Sequence, residues 1–386
     1  MKMPITKSQR GFSLLELMIA SVIGLIAIMA MTQLFRMGMN ATLTVTQRAD
    51  TQENMRTAIE MMSKDLSMAG SGLPTGGLQL ATAGGATKVA CNQGGTCYVP
   101  ADTYPTCNYM YGILPGFNNG VQNGTGITSA PGATNDSITS IYCDYNFPLT
   151  NFNFTFTSTT GVSVAVVNGA VQPNNILAPG GLNVGDLLLF LVSTAGPGNG
   201  NQGTAAAQTA AVVAEITGLP NNTTINFATD ALNFNQTGPN SFAGLAGPLV
   251  GTTYGSSGAA TTMNVCRLNA VTYFLQVPPA GGTVQTPRLM RQVNGLNAVP
   301  VADNIINLQF SYDVIDSVNH TMSANQSDPL AAGLSPALIQ KVNMWVMGES
   351  LTSGGNRSQS MYLASSVSAR NMSFCNSYNY LNTACQ

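Results

Sequence analysis

Leu14 to Leu34 is an almost uninterrupted apolar run, and Glu16 stands near its start. A carboxylate carried into a bilayer on a helix costs about 2.5–3.5 kcal/mol on insertion scales. Such a charge is functional by default and needs a partner. The residues before it are Gly11-Phe12-Ser13. Cutting between Gly11 and Phe12 frees an amine, and that amine on one subunit can pair with Glu16 of a neighbour. The chemistry on offer is an ion pair between subunits in an apolar medium, with Phe12 and Glu16 as its two halves.

Groups suited to turnover are not brought together by sequence. His320 is the single histidine. It lies in a polar stretch with no nucleophile motif beside it and reads as a surface histidine. Gly348-Glu349-Ser350-Leu351-Thr352 lacks the second glycine of a nucleophile elbow. Gly70-Ser71-Gly72 is not followed by Gly-Lys-Ser/Thr, so it reads as a helix exit and not a phosphate loop. Asp313 and Asp316, with Asp303, are candidates for a hard cation. Their spacing lacks the regular calcium loop, and solvated loop carboxylates are the favoured reading. Trp345 alternates with Met344 and Val346, is either core or outward contact, and is expected in the core. No catalytic residue, metal site or cofactor is therefore expected.

There are seven cysteines and no CxxC pair. With one histidine, a zinc site of the usual spacing is not expected. Outside the cytoplasm these thiols form disulfides. An odd number leaves one over or paired between chains. Cys375 and Cys385 are the favoured couple, stapling the C-terminus for about 2–3 kcal/mol in the chain-entropy model. Two reduced buried cysteines are the alternative.

Charged residues make up only 8 % of the 386 residues, against about 25 % in ordinary soluble proteins. Gly, Asn, Ser and Thr fill the deficit, so the surface is neutral and polar, as suits an exported or fibre-associated protein. No Lys or Arg occurs between Lys88 and Arg267, while Asp102, Asp136, Asp144, Asp186, Glu215 and Asp230 do. Phosphate binding needs clustered cations, so no nucleic acid is expected on this middle part.

These residues need elements to hold them. A helix is predicted over 12–69, about 85 Å long, of which only about 30 Å is needed to cross a bilayer. Its second half carries a stripe of Met55, Ile59, Met62, Leu66 and Ala69 at helical spacing, with Asp50, Glu53, Arg56, Glu60 and Lys64 around it. Gly70, Gly72 and Pro74 stop it. Gly24 reads as a tolerated glycine or as a point where the helix can melt. Beyond Pro74 the pattern turns to strands. Phe152, Phe154 and Phe156 alternate, as do Val162, Val164 and Val166. Further strands are predicted at 184–192, 211–216, 266–277, 287–293, 304–315, 339–347 and 361–372. Gly/Asn/Thr-rich stretches at 194–208 and 233–260 read as long surface loops. The fold class is α+β: a long N-terminal helix, half membrane anchor and half amphipathic, packed on a large antiparallel β-rich head. The expected divisions are 1–11 leader, 12–35 membrane segment, 36–72 amphipathic helix, 73–262 Gly/Asn-rich lobe and 263–386 C-terminal lobe.

Gly11-Phe12-Ser13-Leu14-Leu15-Glu16 with its apolar run resembles the leader of type IV pilins and pseudopilins. In that family a prepilin peptidase cuts after the glycine and methylates the new N-terminus, which implies Gly11 as the recognition residue. An ordinary secretory signal or a plain anchor is the alternative, and neither explains Glu16 five residues after Gly11. Two later regions are similar to PilW-type minor pilins. One is Arg56 to Gly70, with its Asp65-Leu66 and Met68-Ala69-Gly70 exit. The other comprises Val271-Thr272-Tyr273-Phe274-Leu275, Leu289-Met290-Arg291, Leu308 to Asp313 and Val342 to Val346. Ser67 stands where that family often has Arg, which leaves open any salt bridge at the exit. The resemblance implies a minor pilin that primes a type IV pilus at or near its tip. Its implied partners are prepilin peptidase, other minor and major pilins, an inner-membrane assembly platform and a tip adhesin. The implied location is the inner membrane before assembly and the extracellular pilus after it. Alternatives are a pseudopilin of a type II secretion system, an adhesive or DNA-uptake pilin, and a membrane-anchored secreted enzyme.

Overall fold

A computed structural model of the chain describes residues 13–74, 77–81, 109–122, 127–128, 135–167, 173, 175–194, 208–230, 232–254, 261–277, 287–316, 321–329, 332–350 and 359–372. The first element, α1, runs Leu14–Met68, 55 residues, or about 82 Å. It is continuous through Gly24 and Gly38, where no other group comes within 4 Å of a built Cβ. From Leu14 to Asp50 nearly every residue is exposed, and Thr51 is the first buried one. The expected stripe then takes over: Met55, Ile59, Met62, Leu66 and Ala69 are all buried, joined by Ala58.

The head begins with a short pair, β1 (Leu78–Gln79) and β2 (Tyr109–Met110). A nine-stranded sheet follows, built on β3 (Ile113–Gly116), β4 (Val121–Gln122), β5 (Ile127–Thr128), β6 (Ser137–Asp144), β9 (Leu187–Thr194), β10 (Gln208–Glu215), β14 (Thr261–Gln276), β15 (Arg288–Val293) and β16 (Val299–Ala302). The five-stranded sheet is β11 (Gly218–Asn221), β12 (Thr224–Asn226), β8 (Gly161–Val166), β7 (Phe152–Ser158) and β13 (Thr253–Tyr254), in that order. The four-stranded sheet runs β18 (Met322–Gln326), β17 (Ile305–Ile315), β19 (Ile339–Ser350), β20 (Gln359–Ser368). The layout is α+β and pilin-like: a long N-terminal helix followed by a head rich in antiparallel sheets.

β14 is the spine. Its first half pairs with β9, its middle with β6 and its end with β15. Strands from both sides of residue 262 therefore share one sheet. β6 was not among the expected strands, and its burial says why. All eight residues, Ser-Ile-Thr-Ser-Ile-Tyr-Cys-Asp, are buried, so neither face has to be polar and the alternating signal vanishes.

The stripe of α1 lies on β19, β20 and the β6–β14–β15 region, in one core with Phe310, Tyr312, Val342, Met344 and Val346. A second core joins the five-stranded sheet to β9 through the rings around Phe190 and to β10 through Val212 and Ala214. The stretch 233–260 is not simply loop. A short helix, α2 (Phe242–Ala246), forms within it, capped by Ser241 Oγ accepting from the Gly244 amide at 2.9 Å. Phe242 sits in that second core, its ring 4.3 Å from that of Phe227. Burial of one phenylalanine overrides a composition that reads as loop.

Candidate assembly site

Glu16 lies exposed in the first turn of α1. Its amide bonds back to the Ser13 carbonyl at 3.0 Å. Ser13-Leu14-Leu15-Glu16 has the form of a capping box, yet the Ser13 side chain does not close the turn. A carboxylate at a helix N-terminus is favoured by the helix dipole, and here it stands on an apolar, unburied segment. That segment is long and apolar enough to cross a membrane, and none of its most apolar window is buried in the head. Gly11 and Phe12 lie outside the described residues, as do Cys375, Cys385 and His320.

At its other end α1 is fastened to the head by Asp65, which is only 4 % exposed. Arg291 grips the carboxylate with both ends of its guanidinium, Nε to Oδ2 at 2.8 Å and Nη2 to Oδ1 at 3.3 Å. Tyr142 donates to Oδ1 at 2.9 Å and Tyr273 to Oδ2 at 2.5 Å. The donors come from β15, β6 and β14, so one carboxylate on the helix collects three strands of the nine-stranded sheet. Two-pronged Arg–carboxylate pairs are the strong, directional kind. Burial, then the charge of Asp65, raises both tyrosine pKa values, so each phenol keeps its proton and stays a donor. Burial works to lower the Arg291 pKa, but the bonds to Asp65 and its charge win and raise it.

The helix end is satisfied as fully as its side chain. The last carbonyls of a helix have no partner within it. Here Ser140 Oγ donates to the Asp65 carbonyl at 2.8 Å, and Asn371 Nδ2 reaches those of Ser67 and Met68 at 3.4 Å. The Ala69 amide takes that of Leu66 at 3.2 Å. The chain then turns at Gly70 (φ +80°), and the Gly70 amide bonds to the Ile141 carbonyl at 2.8 Å. A Cβ on Gly112 would lie 2.5 Å from the Gly70 nitrogen, so the exit needs a glycine on both sides.

The salt bridge at the exit is thus made by Asp65, and its partner comes from β15 some 226 residues away. Asp65, Tyr273 and Arg291 each sit in a segment singled out by sequence, but nothing in the sequence joined them. Tyr142 was missed with its strand.

Among the described residues no group of three or more His, Cys, Asp or Glu is placed to hold a metal ion. Asp303 pairs with Arg288 at 2.7 Å and Asp313 with Lys341 at 3.5 Å, so these carboxylates do not converge. Trp345 is not in the core. Val342, Met344 and Val346 take the inner face of β19, and strict alternation turns the indole outward, stacked on Tyr362 at 6.3 Å. The disulfide described is Cys143–Cys266, joining β6 to β14. Of the acids in the cation-free middle, Asp144 and Asp186 share Arg267. Glu215 hydrogen-bonds Asp230, and burial plus that neighbour raise its pKa to about 8.

Residues 6–32 match the prokaryotic N-terminal methylation motif, which includes Gly11, Phe12 and Glu16. No curated protein and no solved structure matches the chain. The motif marks a type IV pilin-like or pseudopilin protein and implies processing by prepilin peptidase and assembly with other pilins at the membrane. With the apolar helix, it fits membrane anchoring before assembly. It points to a structural protein.

Proposed function

We propose that this chain is a minor pilin of a type IV pilus, of the PilW type, that primes fibre assembly and stays at or near the tip. The observation that carries this reading is the division of α1. Its first 37 residues, Leu14 to Asp50, lie almost wholly outside the head, while its last turns are locked to it by Asp65. A rod of about 55 Å, apolar from Leu14 to Leu34, is a surface made for membrane and then for other helices. A head of this size would crowd a repeating fibre lattice, which favours a few copies over many. In this reading Gly11 is read by the peptidase, methylated Phe12 of one subunit meets Glu16 of another, and the assembly platform and other pilins are the partners. A large tip adhesin is a further partner.

The test is quantitative mass spectrometry of filaments sheared from the native cell, looking for the peptide that begins at methylated Phe12. A trace amount relative to the main pilin is expected. A dominant amount makes this the major pilin. Methylated peptide confined to the inner membrane favours a pseudopilin of a type II secretion system. A chain that nowhere begins at Phe12 overturns the proposal. In the same cells Glu16→Ala is expected to insert in the membrane normally and to be lost from filaments.

A further inference from the structure

The four-stranded sheet has one face against α1 and the core, and another that the assembly reading does not use. Strand register arranges that outer face in cross-strand rows. Gln309, Trp345 and Ala364 form one row, and Ser311, Asn343 and Ser366 the next. Together they line a depression of about 380 Å³, within the range of small-ligand sites. Ala364, the smallest side chain on its row, stands across the strand pair from Trp345 and lines the depression beside it. Tyr362, 73 % exposed, stacks beside Trp345 with the rings 25° apart and extends the aromatic surface. The polar row is held in place. Asn343 Nδ2 donates to Asp313 Oδ1 at 3.2 Å and to Asn325 Oδ1 at 3.1 Å, which fixes the amide.

We propose that this face binds a neutral glycan, with the Trp345–Tyr362 pair as the platform for a sugar ring and Asn343, Gln309 and Ser366, within the depression, as its hydrogen-bonding groups. Charge decides among ligands. The two rows carry no ionised side chain, and Lys341 at their end is neutralised by Asp313. A nucleic acid would need clustered cations beside the aromatics, and an acidic polysaccharide would need them too. A protein partner favours an apolar centre with a polar rim, whereas here the hydroxyls and amides lie within the depression. A polyol matches what is present: apolar C–H faces for the rings and hydroxyls for the amides.

Trp345 is the only tryptophan, so its fluorescence reports the site directly. The full chain in a detergent that carries no sugar is titrated with cellohexaose, N-acetylchitohexaose and maltohexaose, and with a hyaluronan hexasaccharide and a thymidine oligonucleotide as polyanions. At least one neutral hexasaccharide is expected to shift the emission saturably. Tyr362→Ala and Ala364→Arg, both at exposed positions, are each expected to weaken that titration about tenfold or more, with the thermal midpoint unmoved. No saturable shift with any of the three neutral sugars overturns the proposal. So does tighter binding of either polyanion, or a titration that neither variant changes.

Discussion

Asp65→Ala is the substitution that most directly tests how stalk and head are joined. It removes the acceptor of one guanidinium and two phenols at once. Breaking a buried ion pair from one side costs about 3–5 kcal/mol, because the other charge is left uncompensated. The Arg291 side chain is 24 % exposed, so water reaches part of it, and the lower end, about 3 kcal/mol, is the better figure. For a body of this size that is a fall in thermal midpoint of roughly 4–5 °C. The assay is urea and thermal unfolding of the full chain in detergent micelles, followed by circular dichroism. A double-mutant cycle with Arg291→Leu isolates the pair. Arg291→Leu should be costly alone and mild in the Asp65→Ala background, with a coupling of about 1.5–3 kcal/mol. Asp65→Asn, which keeps an acceptor oxygen but no charge, should fall between wild type and alanine. A coupling below about 0.5 kcal/mol would refute the argument, since Asp65 and Arg291 would then be neighbours without being a lock.

Gly348 lies on β19 beneath the helix, where an added Cβ would stand 2.7 Å from Thr51 Cγ2. Gly348→Ala should therefore cost about 1–3 kcal/mol by overpacking, and Thr51→Ser, which deletes that methyl, should restore most of the loss in the same unfolding assay. Glu215, with its pKa raised from 4.5 to about 8 by burial and Asp230, holds its proton more tightly folded than unfolded. Its contribution is complete below about pH 4.5 and is lost as pH rises through about 8. Unfolding measured from pH 5 to 9 should show stability falling over that window, and Glu215→Gln should flatten the fall; an equal slope in both proteins would contradict it. Cys143 and Cys266 close a separation of 123 residues, for which chain entropy gives about 5 kcal/mol. Cys143→Ser or Cys266→Ser should lower the urea midpoint markedly, and a reductant should lower wild type by more than it lowers either variant.

The sequence by itself determined what is local and periodic. Glu16 after Gly11, the apolar run, the stripe from Met55 to Ala69 and the glycine-proline stop fixed the helix almost to its ends, because each depends on neighbours within a few residues. The strands around Phe152 to Phe156 and Ile305 to Ile315 were legible because one face of each is buried and the other is not. β6, buried on both faces, gave no alternation to read. Phe242 was hidden in a stretch whose composition says loop, and Trp345 was misplaced because its side of the strand depends on which neighbours the helix covers. The lock on Asp65 could not be read at all. Its donors stand 77, 208 and 226 residues away in sequence, and only the registers of β6, β14 and β15 bring them to one carboxylate. Local pattern chose the elements; pairing between distant strands, which no local pattern encodes, decided where their polar side chains meet.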